Sequence, residues 1–168
     1  VLALSTIQGL TQTQKSLDNT SLLADAIERL HLSIVQAESG QRGYLLTEEE
    51  DYLMPYYDAI GQIESQKEHV KSLHSEIDGQ AERIAELLVL TEAKIKELKQ
   101  TVKLATNDKE RRALYVLNTH RGRELYKDIR VKVNDIQDRE LLFKVSHFSK
   151  LAQIKNEAKI TFAITAVT

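Results

Sequence analysis

Residues 20–44, TSLLADAIERLHLSIVQAESGQRGY, decide the fold. Steps of three and four along this stretch pick out Thr20, Leu23, Ile27, Leu30, Ile34, Ala37, Gln41 and Tyr44. Such a seam is the heptad of a helix packed along partner helices. Extended outward over strong helix formers, it predicts a first helix from about Leu4 to Leu46.

The same spacing recurs three times. Thr47 and Glu50 form a capping-box pattern, and Glu48, Glu49, Glu50 and Asp51 suit a helix N-terminus. Pro55 sits late for a first-turn proline, so the second helix either kinks there or starts nearer Leu53. Its seam reads Leu53, Tyr56, Ile60, Ile63, Lys67, Val70, His74 and Ile77, and Asp78-Gly79 marks a turn. The third helix, about Gln80 to Thr106, carries Ile84, Leu88, Thr91, Ile95, Leu98, Val102 and Ala105. Asn107-Asp108-Lys109-Glu110 reads as a turn with a second capping box. A fourth helix then runs nearly to the end through Ile129, Val133, Ile136, Glu140, Phe143, His147, Leu151 and Ile154.

Composition agrees with an all-α chain. Among 168 residues there are six Gly, one Pro and no Trp, too few turn formers for barrels, sandwiches or Rossmann-type folds. With 42% hydrophobic residues the chain is too apolar for disorder. A net charge of −2 argues against a nucleic-acid partner. The absence of Cys excludes disulfides, a thiol nucleophile and Cys-based zinc sites.

Helix lengths set the topology. At about 1.5 Å per residue the first and fourth helices span roughly 65 and 80 Å, and the middle two roughly 40 Å each. An up-down-up-down four-helix bundle follows, with both chain ends at one pole. The head VLALSTIQGL (1–10) and the uncharged tail ITFAITAVT (160–168) are apolar but shorter than a membrane span. With Val rather than Met at position 1, the expectation is a piece of a longer protein. Residues 1–168 would form one extracytoplasmic domain flanked by clipped transmembrane helices.

The segment Glu38-Ser39-Gly40-Gln41-Arg42-Gly43-Tyr44-Leu45-Leu46-Thr47, followed by Tyr52-Leu53 and Pro55-Tyr56, resembles the signature of the third CHASE family, the cyclase/histidine-kinase-associated sensory extracellular domains. Weaker similarity continues through Lys127-Asp128-Ile129-Arg130 and Glu140-Leu141-Leu142. The chain departs from the pattern at Ser39, where Thr is usual, and at Glu48, where Gly is usual; Glu48 would remove a flexible joint between the first two helices. The resemblance implies a membrane-anchored input domain on the periplasmic or extracellular side. Its output is most often a two-component histidine kinase, less often a cyclase or chemoreceptor. It also implies a homodimer through the first or fourth helix, and it brings no established common ligand, which leaves a small molecule and a protein both open as the ligand.

The signature also has plain structural uses. Glu38 and Arg42 are spaced for a helical ion pair, Gly40 and Gly43 permit close helix approach, and Gln41 is a polar seam residue able to fix register. Five of the six Tyr (Tyr44, Tyr52, Tyr56, Tyr57 and Tyr115) fall near the turns at the pole away from the chain ends. With Gln41, Arg42, Glu48 and Arg111 they offer apolar faces, polar tips and an anion fork. The candidate ligand-binding set is therefore Gln41, Arg42, Tyr44, Tyr52, Tyr56 and Tyr115; the same rings also serve to plug the bundle end.

Other patterns carry less. Glu28 and His31 form a single E-x-x-H, whereas a di-iron bundle needs two with further inward Glu. No His has the acidic neighbour and following Pro of a phospho-acceptor, and no Gly-rich phosphate loop exists. No catalytic residue, metal site or cofactor is expected. His74 and Glu140 are placed on facing seams as a candidate acid-sensitive pair, and Lys67 is expected to snorkel outward. A hinge in the fourth helix, if present, belongs at 118–122, and Gly122→Ala should add roughly 0.5–1 kcal/mol if Gly122 is helical. Two other readings remain: a non-sensing structural or dimerising bundle, separable by ligand-dependent stabilisation, and a soluble bundle enzyme, separable by a metal screen.

Overall fold

The computed structural model describes residues 2–107 and 119–165, with side chains for 7–107 and 119–160. Within them lie four helices and no strand: α1 Leu2–Thr47, α2 Leu53–Ser72, α3 Gln80–Ala105 and α4 Arg121–Thr165. A single 3-10 turn, Glu50–Tyr52, joins α1 to α2. The capping-box turn 108–110, Arg111, Tyr115, Asn118 and the tail beyond 165 lie outside the described residues.

The chain runs up, down, up and down. Paired side chains show the antiparallel register. Between α3 and α4, Glu86 meets Lys132, Arg83 meets Asp135 and Gln80 meets Glu140, one number falling as the other rises. Between α2 and α3, Lys99 meets Glu64 and Lys67 meets Glu92. Between α1 and α4, Glu28 meets Gln137 and His31 meets Tyr126. The α2–α3 turn stands level with Ser16 and Glu140, because Glu76 accepts from Ser16 Oγ and Ser75 Oγ donates to Glu140. Past that level α1 and α4 continue side by side toward the chain ends.

The core follows the predicted seams, except that in α3 Leu87 is fully buried in place of the predicted Leu88, which is only partly buried. Leu23, Ile27, Leu30, Ile34 and Ala37 of α1 pack with Tyr56, Ile63 and Val70 of α2, Ile84, Leu87, Ile95 and Leu98 of α3, and Ile129, Val133 and Ile136 of α4. Toward the chain ends the buried stripe of α1 turns polar: Thr13, Ser16 and Thr20 are buried with only Leu17 among them. Thr13 donates to Gly9 O at 2.8 Å, while Ser16, whose shorter contacts go to Glu76, lies 3.2 Å from Gln12 O.

Three local expectations are corrected. Thr47 ends α1 rather than capping α2: its hydroxyl donates to Gly43 O and accepts from the Glu49 N–H. Helix α2 starts at Leu53, the second of the two alternatives for Pro55, which puts Pro55 among the first residues, whose N–H groups have no helical acceptor. It also stops at Ser72, so His74 and Ile77 are not on it. Leu73 is extended, and Ser75 Oγ accepts from the Ile77 N–H, a side-chain alternative to helical bonding. Finally, α4 begins at Arg121 after His120, whose φ is 60°, so the expected weak point is a helix boundary.

Candidate functional site

The signature segment closes the pole away from the chain ends. A Cβ on Gly40 would lie 2.9 Å from Tyr56 Cβ and from Tyr52 O, and one on Gly43 would lie 2.2 Å from the Tyr52 ring. Both glycines are thus places where α2 and its approach press onto α1. Glu48 sits at φ 61°, and its N–H reaches Tyr44 O at 2.8 Å. The joint after Thr47 is a left-handed helix terminator, the conformation glycine takes most easily. Glu48 occupies this fixed turn; it does not remove a flexible joint.

Inside this pole lies a charged cluster. Lys94, about 1% exposed, donates to Glu97 Oε2 at 3.0 Å and to Gly122 O at 3.1 Å, with Glu38 Oε1 at 3.4 Å. Arg42 Nη2 holds the same Glu38 oxygen at 2.8 Å. Thr101 Oγ1 lies 3.4 Å from Glu97 Oε1. Three elements are tied here: α1 through Glu38 and Arg42, α3 through Lys94, Glu97 and Thr101, and the start of α4 through Gly122. A buried lysine is tolerated because its three protons face three oxygens. A Cβ on Gly122 would lie 2.9–3.0 Å from the Glu97 carboxylate, so the bare α-carbon is needed for that carboxylate to sit there.

Beside the cluster opens a cavity of about 230 Å³, lined by Glu38, Gln41, Arg42, Lys94, Glu97, His120, Gly122 and Arg123. Gln41 is about 1% exposed, and its Nε2 has no hydrogen-bond partner. A shallower depression of about 450 Å³ lies on the α1–α2 face, with Tyr52, Pro55, Ser39 and Gly40 on its walls.

The predicted ligand set is therefore divided. Gln41 and Arg42 line the charged cavity; Tyr52 lines the other depression. Tyr56 is a core residue, edge-on to Tyr57 with centroids 5.1 Å apart. Its hydroxyl is pushed up to about 12 by burial, with the nearby Tyr57 and Glu97 adding to the shift. Tyr44 is half-buried and lines neither space, and Tyr115 lies outside the described residues. Of the remaining signature residues, Leu45 is half-buried and Leu46 exposed.

Sequence reasoning missed Lys94 and Glu97, because a Lys-x-x-Glu spacing reads as a solvated pair. A signal existed: Leu87, Lys94 and Thr101 repeat every seven residues beside the α3 seam, and all three are buried.

Contacts bear on three other readings. His74 is exposed and does not meet Glu140; the buried Glu140 accepts from Gln80 Nε2 at 2.8 Å and Ser75 Oγ at 3.2 Å instead. Lys67 does reach outward, to the surface carboxylates Glu64 and Glu92. Burial pulls its ammonium down, but the hydrogen bonds to Glu92 and Glu64 outweigh that and raise it. Glu28 and His31 turn to Gln137 and Tyr126, and no three His, Asp or Glu converge as a metal site among the described residues. No helix of the described residues is long and apolar enough to cross a membrane.

Comparison with known proteins places this architecture. The chain is similar to the sensor domain of the Rhodopseudomonas palustris histidine kinase HK9, with TM-score 0.67 and 24% identity over 74% of this chain and 97% of that one. It is also similar to a periplasmic sensor domain of a sensor histidine kinase, with TM-score 0.56 and 13% identity over 88% of this chain and 95% of that one. These likenesses establish the shared helical fold. A sequence search of curated proteins finds no match. The CHASE3 domain matches residues 13–142, which include the signature, the buried cluster and the paired seams of all four helices. The chain belongs to the CHASE3 family of sensory input domains.

Proposed function

We propose that this bundle is the extracytoplasmic input domain of a membrane-bound sensor histidine kinase, acting as a homodimer. The observation that carries the reading is the antiparallel pairing of α1 and α4, with both continuing past the α2–α3 turn in the same direction. Two helices leaving one pole side by side suit a domain standing on a membrane. A change in their relative height or rotation would pass to the output. The histidine-kinase parentage of two structural neighbours supports the choice of output.

For the dimer, α4 exposes Leu141, Leu142, Val145 and Phe148 on its part nearer the chain ends. Leu141, Val145 and Phe148 follow helical spacing, a stripe that a second copy of the same helix would cover.

Residues 1–168 contain no Cys, so a single Cys placed among them, in a full-length background cleared of any other Cys, gives a direct test. Gly61 is exposed, with open space where a Cβ would stand. Gly61→Cys in the full-length protein should react with a membrane-impermeant maleimide in intact cells. Labelling only after lysis would overturn the extracytoplasmic placement. Val145→Cys in the same background should give an oxidised dimer in membranes; a strictly monomeric band would remove the proposed dimer face.

A further inference from the structure

We infer that the distal charged cavity is a binding site for a small monocarboxylate, held between Arg42 of α1 and Arg123 of α4. This inference accepts the sensory reading above and adds the chemistry of its ligand.

The anionic side of the cavity is already satisfied. Glu38 takes Arg42 and Lys94, while Glu97 takes Lys94 and Thr101. Lys94 in turn gives two hydrogen bonds, to Glu97 and Gly122 O, and its charge faces Glu38. The remaining capacity is donor capacity. Arg42 uses one nitrogen on Glu38 and leaves the rest of a side chain that is 56% exposed. Arg123 is exposed and makes no ion pair among the described residues. Gln41 Nε2 is buried and without an acceptor, which is costly unless something supplies one. The start of α4 adds the positive end of a helix. An acceptor-rich anion meets both guanidiniums, and meets Gln41 once its amide turns from its buried position toward the cavity it lines.

Size and charge narrow the class. About 230 Å³ is below the range of drug-sized pockets, so it admits a ligand of a few heavy atoms. Glu38 and Glu97 on the wall repel a dianion, which disfavours phosphate and sulfate. Neither carboxylate needs an additional cation, so nothing calls for the ammonium of an amino acid. A planar two-oxygen acceptor matches the guanidinium fork. By spanning Arg42 and Arg123, such a ligand would tie together the two helices that lead to the proposed membrane side.

The experiment uses acetate as the probe, with acetamide as its neutral isostere and sodium chloride as the salt control. Acetate should raise the melting temperature of the purified chain more than either control. It should also shift the Gln41 side-chain amide signals in a ¹⁵N-labelled sample. Arg42→Gln and Arg123→Gln should each weaken the acetate response at least tenfold while circular dichroism stays helical. If one variant misfolds, the other and the Gln41 signals still decide. Equal shifts with acetate and acetamide, or a response surviving both substitutions, would each overturn the assignment. The maleimide experiment is independent: outside labelling with no acetate response would sink the carboxylate site alone, and inside labelling with a response would sink the extracytoplasmic placement alone.

Discussion

Glu48 is an L-residue at φ 61°, a conformation that costs a side chain of this kind roughly 1 kcal/mol relative to glycine. Its side chain is exposed and makes no ion pair among the described residues. Glu48→Gly should therefore stabilise the domain by about 1 kcal/mol, read as a higher urea midpoint at unchanged slope; no gain would show that the turn is paid for by contacts of the glutamate. Gly122 behaves oppositely. Helix propensity alone favours Ala, but a Cβ would press on the Glu97 carboxylate at 2.9–3.0 Å. That carboxylate is buried and fixed by Lys94. Gly122→Ala should cost roughly 1–3 kcal/mol, measurable in the same urea titration; a gain would mean that Glu97 relaxes freely.

Between elements, half-exposed ion pairs link neighbouring helices. Glu64 is held below the usual carboxylate range by its hydrogen bond to Lys67, and Asp135 by its hydrogen bond to Arg139, with Arg83 of α3 adding to the effect. A carboxyl whose pKa is lowered by folding stabilises the fold above its unfolded pKa. That stability is lost as pH falls through the lowered folded value. The loss should set in below about pH 4. A Glu64→Gln, Asp135→Asn variant should melt below wild type at about pH 6 and level with it near pH 2. A gap persisting at acid pH would show that packing is responsible. The seams of these helices were legible because burial has the helical period: every seam residue of α1 from Thr20 to Gln41 is buried. Helix ends were less legible. Nothing in the spacing of His74 and Ile77 reveals that Ser75 takes the Ile77 N–H and breaks the helix. The distal site was half legible. Gln41 and Arg42 stood out within the signature, while Lys94 and Glu97 became a site only once Gly122 arrived from α4.

Across the whole molecule the two poles differ in how firmly their helices interlock. The distal half of α1 inserts Leu23, Ile27, Leu30 and Ile34 into the core and ends in the charged cluster. Toward the chain ends its buried stripe is Thr13, Ser16, Leu17 and Thr20, one large apolar side chain among three hydroxyls, with Thr13 bonded to its own helix and Ser16 held by Glu76. Amide hydrogen exchange should be slowest around 23–37 and faster by orders of magnitude at 9–20; uniform protection along α1 would contradict this gradient. The mechanical consequence concerns α1 as a shaft. Large branched side chains act as gear teeth, whereas short hydroxyl side chains leave a smooth journal. The shaft is keyed at the far pole and runs in a plain bearing at the near one. A torque applied at the key would emerge at the near pole as slip or turn along its neighbour instead of being absorbed as bending.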